Sequence, residues 1–193
     1  MSALVTGSAA AGKPVSKDIY ELDRPVFLVG FMGAGKTSVA RKLARMAGVA
    51  SVDMDTYIER CEHKRVKEIF AEVGEEGFRA IETQTLYELG MKKDPMVVSC
   101  GGGVVVRPQN VENMKKSGKI VFLKATPETI YERVKNSTDR PILNGHMNVE
   151  YIAQLMEKRR ALYEGAADIT IETDGKTKEE ICSEIICRLE ENI

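Results

Sequence analysis

Histidine and cysteine are both scarce: the 193 residues include 2 histidines and 4 cysteines. The cysteines, Cys61, Cys100, Cys182 and Cys187, contain no C-x-x-C pair, which argues against a zinc site. A domain of this size needs no disulfide framework, so unpaired thiols in a reducing compartment are expected, with Cys182 and Cys187 packed within a terminal helix. Neither sign of charge prevails. The 28 basic residues stand against 29 acidic ones, so no global field draws in nucleic acid or an anionic membrane, and any anion must be bound locally. No apolar run approaches the roughly 20 residues needed to cross a bilayer, and the first residues lack a basic segment followed by a long apolar one. These absences leave a soluble, cytoplasmic protein, long enough for one substantial domain and too short for two large ones.

Residues 1–24 are rich in Ala, Gly and Ser without sustained periodicity, which predicts a flexible leader ahead of a domain over residues 25–193. The acidic Asp18, Glu21 and Asp23 argue against a transit peptide. From Val26 onward short apolar runs alternate with longer amphipathic segments: Val26–Val29, Thr37–Ala47, Met96–Ser99, Ile120–Leu123, Thr129–Val134 and Ile169–Ile171. That alternation predicts an α/β fold of βαβ units, a parallel sheet covered by helices. The closing stretch from Lys178 to Leu189 places Ile181, Ile185, Ile186 and Leu189 at helical spacing and predicts a docked terminal helix.

The strongest motif runs from Gly30 to Thr37, GFMGAGKT, and satisfies G-x-x-x-x-G-K-[ST] between an apolar strand and a helix. Glycines let such a loop turn its N–H groups inward at a helix N-terminus, where the macrodipole adds to the attraction for phosphate. Gly33, Ala34, Gly35, Lys36, Thr37 and Ser38 are therefore expected against the phosphates of ATP, with Lys36 reaching the β- and γ-phosphates and the Thr37 hydroxyl on Mg²⁺. The motif names a nucleotide but not the acceptor.

Four further features bear on the acceptor. Asp53 and Asp55 follow a second strand over Val49–Val52; two apart in extended chain, they would face one site, one carboxylate near Mg²⁺ and the other orienting and deprotonating a hydroxyl, although either could equally cap a following helix. Gly101, Gly102 and Gly103 follow the strand Met96–Ser99 and would let a substrate lie against the backbone, unless they form a plain turn. Arg159 falls within the apolar stripe of Ile152, Leu155, Met156, Leu162 and Tyr163, which calls for an anionic partner, either a substrate carboxylate or a protein one; its neighbour Arg160 points to solvent. Arg79 could pair with Glu82 three residues on. The polar stretch from Lys135 to His146 has the length of an active-site lid or a surface loop, and Arg140 lies within it.

Taken together, the phosphate loop, Asp53-Met54-Asp55-Thr56, Gly77-Phe78-Arg79, Gly101–Gly103, Asp139-Arg140-Pro141 and Lys158-Arg159 with Leu162-Tyr163 resemble the shikimate kinases in order and spacing from about Pro25 to the end. The resemblance implies a five-stranded parallel sheet with flanking helices and a mobile lid, related to the nucleoside monophosphate kinases. It further implies that Asp55, Arg79, Gly102 and Arg159 bind shikimate, the two arginines at its carboxylate, that Arg140 is a lid arginine on the ATP phosphates, and that Asp53 supports the metal. Arg133 would lie along adenine, with Lys176 near it. The implied partners are ATP and shikimate, with Mg²⁺ as cofactor, on a monomer. Ala161 departs from the family pattern, where proline is common. Another small-molecule kinase, of gluconate or a nucleoside monophosphate, is the competing enzyme reading, and the paired arginines and glycine run argue against it. A GTP switch is the competing binding-module reading; its guanine-selecting segment would have to be Met91-Lys92-Lys93-Asp94, which lacks the first residue.

Overall fold

The computed structural model describes residues 20–92, 94–135 and 148–191. Within them, five strands form one parallel sheet: β1 (Val26–Val29), β2 (Ala50–Asp53), β3 (Met96–Ser99), β4 (Lys119–Lys124) and β5 (Ile169–Glu172), in the order β2-β3-β1-β4-β5. The central strands β1 and β3 are buried at every position, as a parallel strand covered on both faces must be, and both are continuous apolar runs up to Ser99. At one edge β5 alternates buried and exposed residues, and at the other β2 is partly exposed.

The helices among the described residues are α1 (Lys36–Ala47), α2 (Met54–Glu62), α3 (Val66–Met91), α4 (Pro108–Ser117), α5 (Pro127–Val134), α6 (Val149–Ala166) and α7 (Lys178–Glu190), with a 3₁₀ turn at Val104–Val106. Side-chain caps from Thr126, Asn148 and Thr177 start α5, α6 and α7. Within α3, Gly74 takes φ 70 and ψ −177, a conformation open to glycine, and breaks it into segments 66–73 and 75–91. The second segment carries Phe78, Arg79 and Glu82 toward the sheet's carboxyl edge.

Two apolar layers sandwich the sheet. One joins α1, α5 and α7 to it through Val39, Leu43, Ile130, Ile181 and Ile185; the other joins α2, α3 and α4 through Ile58, Phe78, Leu86 and Met114. Each fully buried Leu, Ile or Phe contributes roughly 1.5–3 kcal/mol. Helix α6 belongs to both layers: Ile152 packs in the first, Tyr163 and Ala166 in the second. It therefore passes from one face of the sheet to the other, and Arg159 lies between.

Some expectations change in detail. Leu22 is buried in the first layer and Tyr20 packs against it, so packing starts ahead of Pro25; residues 1–19 lie outside the described residues. Asp55 is not in extended chain, because α2 starts at Met54. Leu162 is exposed rather than part of the inner stripe, and Cys187 is exposed while Cys182 is buried. Among the described residues no helix is long and apolar enough to cross a membrane.

Candidate active site

The loop after β1 turns through Gly33 at φ 81 and Gly35 at φ 97, left-handed conformations that aim backbone N–H groups into a nest at the start of α1. A methyl group on Gly33 would also fall 2.7 Å from Val134 Cγ1, so α5 packs directly against the loop. Lys36 folds over it and donates to the carbonyls of Gly30 (2.8 Å) and Phe31 (3.0 Å), largely buried. The Ser38 hydroxyl donates to the Gly35 carbonyl at 2.9 Å. Arg133 of α5 braces the same loop: it donates to the carbonyls of Gly33 and Ala34, and to both the carbonyl and hydroxyl oxygens of Thr173.

Thr37 opens the side of the site nearest β2. Its hydroxyl donates to Asp53 Oδ2 at 2.8 Å and lies 3.2 Å from the Ser99 hydroxyl. The other Asp53 oxygen caps α2 by accepting from the Thr56 N–H at 3.2 Å, so of the two aspartates it is Asp53 that caps the following helix. Thr37, Asp53 and Ser99 are hard oxygen donors beside a phosphate nest, a set that fits Mg²⁺, which takes one or two carboxylates and completes its shell with phosphate and water.

The glycine run after β3 is the meeting point of the acceptor candidates, one side chain to each glycine. A methyl carbon on Gly101 would lie 3.3 Å from Asp55 Oδ1 and 2.7 Å from Glu82 Oε1; one on Gly103 would lie 2.5 Å from the Arg79 guanidinium nitrogens. Arg159 Nη1 reaches the Gly102 carbonyl at 3.4 Å. Any larger residue at Gly101 or Gly103 would displace a charged group.

Arg79 is held by Glu75 at 3.3 Å and by a close pair with Glu82, whose side chain is 1% exposed. Burial pushes the Glu82 carboxyl above the usual carboxylate range, against the pull of Arg79. Burial, the largest single influence, lowers the Arg79 pKa in turn, but the bonds and charges of Glu82 and Glu75 together outweigh it and the net shift is upward. Glu82 Oε1 is buried without a hydrogen-bond partner among the described residues.

A cleft of about 480 Å³ joins these parts, with Lys36, Thr37, Asp53, Asp55, Gly101 and Gly102 among its walls. Gly33, Gly35, Ser38 and Arg133 line it too, whereas Arg79, Arg159 and Gly103 do not and are tied to the site through the glycine run. Ala34 is buried beneath the loop. Arg140 lies outside the described residues. Lys176 pairs with Glu184, and Arg160 with Glu157 in solvent.

A family model described as shikimate kinase matches residues 32–190. The chain belongs to the shikimate kinase family. It is 42% identical over 161 residues to a shikimate kinase of Thermodesulfovibrio yellowstonii, covering 83% of this chain and 92% of that one. With a shikimate kinase of Persephonella marina it shares 41% identity across 86% of this chain and 99% of the other. The structure of the shikimate kinase from Acinetobacter baumannii in complex with shikimate superposes with a TM-score of 0.83 at 34% identity, covering 91% of this chain and 98% of that one. The protein is thus a P-loop kinase whose family reaction is phosphoryl transfer from ATP to shikimate, a step of aromatic amino-acid biosynthesis.

Within that shikimate kinase frame, three residues escaped the sequence reading of the site. Ser99 ends a buried strand, and the last residue of a parallel strand stands at the carboxyl edge where ligands bind, so its position was the available signal. Tyr163 follows Arg159 by four residues on the same helical face, but it reads there as core. Thr173 is wholly buried just after β5, and nothing in its local pattern announces its bond to Arg133.

Proposed function

We propose that the protein transfers the γ-phosphate of ATP to the 3-hydroxyl of shikimate, with the roles divided as follows. The polyphosphate rests on the nest of Gly33 to Ser38, and the Lys36 ammonium neutralises charge on its β and γ groups. Thr37 and Asp53 hold Mg²⁺, with Ser99 beside them. When bound, the ion offsets the negative charge of the phosphate oxygens. Arg133, its nitrogens tied to the loop and to Thr173, offers the guanidinium face for adenine.

Shikimate lies along Gly101–Gly103, its carboxylate toward Arg79 and Arg159 and its hydroxyls toward Asp55. Planar guanidinium forks suit a carboxylate, and Arg79 comes to it already fixed by Glu82. Asp55 orients the attacking hydroxyl and accepts its proton. Catalysis is then mainly positioning and charge stabilisation, with Arg140 as a further cation for the ATP phosphates.

The observation that supports this reading most is the pairing of one acceptor-binding side chain with each glycine of the run, next to a phosphate nest. The protein acts as a monomer, and its four free thiols suit the cytoplasm. The test is ADP release measured over shikimate, quinate, gluconate and AMP. Shikimate-dependent turnover is expected to exceed that with the other three; preferential turnover of another acceptor would overturn the assignment.

A further inference from the structure

The glycine run contains one carbonyl that its own backbone does not use. The Gly101 carbonyl accepts from the Val104 N–H at 3.2 Å and the Gly103 carbonyl from the Val106 N–H at 3.0 Å, both within the 3₁₀ turn. The Gly102 carbonyl instead accepts from the Tyr163 hydroxyl at 2.5 Å and, more loosely, from Arg159 at 3.4 Å. Tyr163 is 2% exposed and its ring lies flat on Phe122 of β4, centroids 5.1 Å apart and planes 10° from parallel. The hydroxyl is therefore held in place by the ring behind it. Gly102 stands close to the phosphate loop, since a methyl group on it would lie 3.8 Å from both the Gly30 oxygen and the Met32 nitrogen.

Gly102 is half-buried, and of the two donors on its carbonyl the Tyr163 hydroxyl makes the short bond and Arg159 the long one. Were Arg159 its sole partner, that carbonyl would draw the guanidinium in from 3.4 Å and turn its fork away from a substrate carboxylate.

We propose that Tyr163 is a positioning residue for the acceptor: its hydroxyl takes the Gly102 carbonyl and so leaves the Arg159 guanidinium to the substrate carboxylate. The inference rests on Arg159 binding that carboxylate. It assigns Tyr163 no contact with shikimate or ATP. Its effect passes through Arg159 and through the orientation of the Gly102 peptide.

The experiment is Tyr163→Phe, which keeps the ring and its stack on Phe122, measured alone and in an Arg159→Leu background. The slope of rate against subsaturating shikimate gives kcat/KM even where saturation is out of reach. Alone, Tyr163→Phe is expected to lower kcat/KM for shikimate about tenfold, mostly through KM for shikimate, while KM for ATP stays within about twofold. In the Arg159→Leu background it should lower kcat/KM by less than about twofold. An equal loss in both backgrounds, or a parallel rise in KM for ATP, would show a structural role alone and overturn the proposal. No loss in either background would overturn it as well. Failure of the underlying reading looks different: the unsubstituted protein would then show no shikimate-dependent ADP release.

Discussion

The Arg79 guanidinium is anchored by Glu82, a carboxylate one turn along α3 whose side chain is 1% exposed. Breaking such a buried pair leaves a charge without its partner, which typically costs 3–5 kcal/mol for a fully buried pair and about half that where, as here, one member is partly solvated. Glu82 thus fixes the cation proposed for the substrate carboxylate, which solvent would otherwise let wander.

Glu82→Gln keeps shape and removes the charge. Because burial raises the native pKa above the ordinary 4.5, the native state holds its proton more tightly than the unfolded one, and ionising Glu82 lowers stability as pH rises from 4.5 toward the raised value. Glutamine lacks that titration. The stability of the variant relative to the parent should therefore climb with pH across this window and level off above it, in urea unfolding at matched pH. KM for shikimate should rise about tenfold as Arg79 loses its anchor. A stability difference independent of pH would show that Glu82 titrates alike folded and unfolded.

Gly103→Ala tests the contact between the glycine run and Arg79. The backbone at Gly103, φ −102 and ψ 0, accepts alanine, so the substitution acts through its methyl group, which would fall 2.5 Å from the Arg79 nitrogens. Arg79 must shift while Glu82 and Glu75 hold it. The expected result is a folded protein with weaker shikimate binding, by about 1–3 kcal/mol in isothermal titration, and ATP affinity little changed. Unaltered shikimate binding would remove Arg79 from the acceptor site.

Asp55→Asn should depress the chemical step more than ATP binding, since Asp55 stands in the first turn of α2 while the nest and Lys36 lie on the loop after β1. Turnover should fall about 10²-fold or more in single-turnover measurements at saturating shikimate. A near-normal chemical step would confine Asp55 to orienting the acceptor.

The thiols separate by environment. Cys61 and Cys187 are exposed, whereas Cys100 and Cys182 are buried; burial pushes the Cys182 thiol up to about 11 and the Cys100 thiol higher still. An aromatic disulfide reagent at neutral pH should therefore titrate two thiols rapidly in the native protein and all four after unfolding. Rapid modification of Cys100, read by peptide mapping, would contradict its burial at the end of β3.

Elements whose causes are local were legible in the amino-acid order alone. Val26–Val29 and Met96–Val98 are apolar throughout because both faces of a central parallel strand are covered, and the phosphate loop is legible because its function is carried by backbone conformation that glycine spacing dictates. The amphipathic spacing of Ile181, Ile185 and Leu189 likewise announced α7. Relations between segments distant in the chain were settled by packing instead. Local spacing placed Asp55 in extended chain, but Asp53 caps a helix while binding Thr37, so the two carboxylates meet the cleft from a helix start. The pattern around Arg159 marked a charge in an apolar stripe and left its partner open. The charge is tolerated there because α6 crosses from one layer to the other at that point, so its inner face meets Gly102 rather than a core. Periodicity records which face of a helix points inward. What that face meets depends on the sheet order, which is fixed by the packing of strands far apart in sequence.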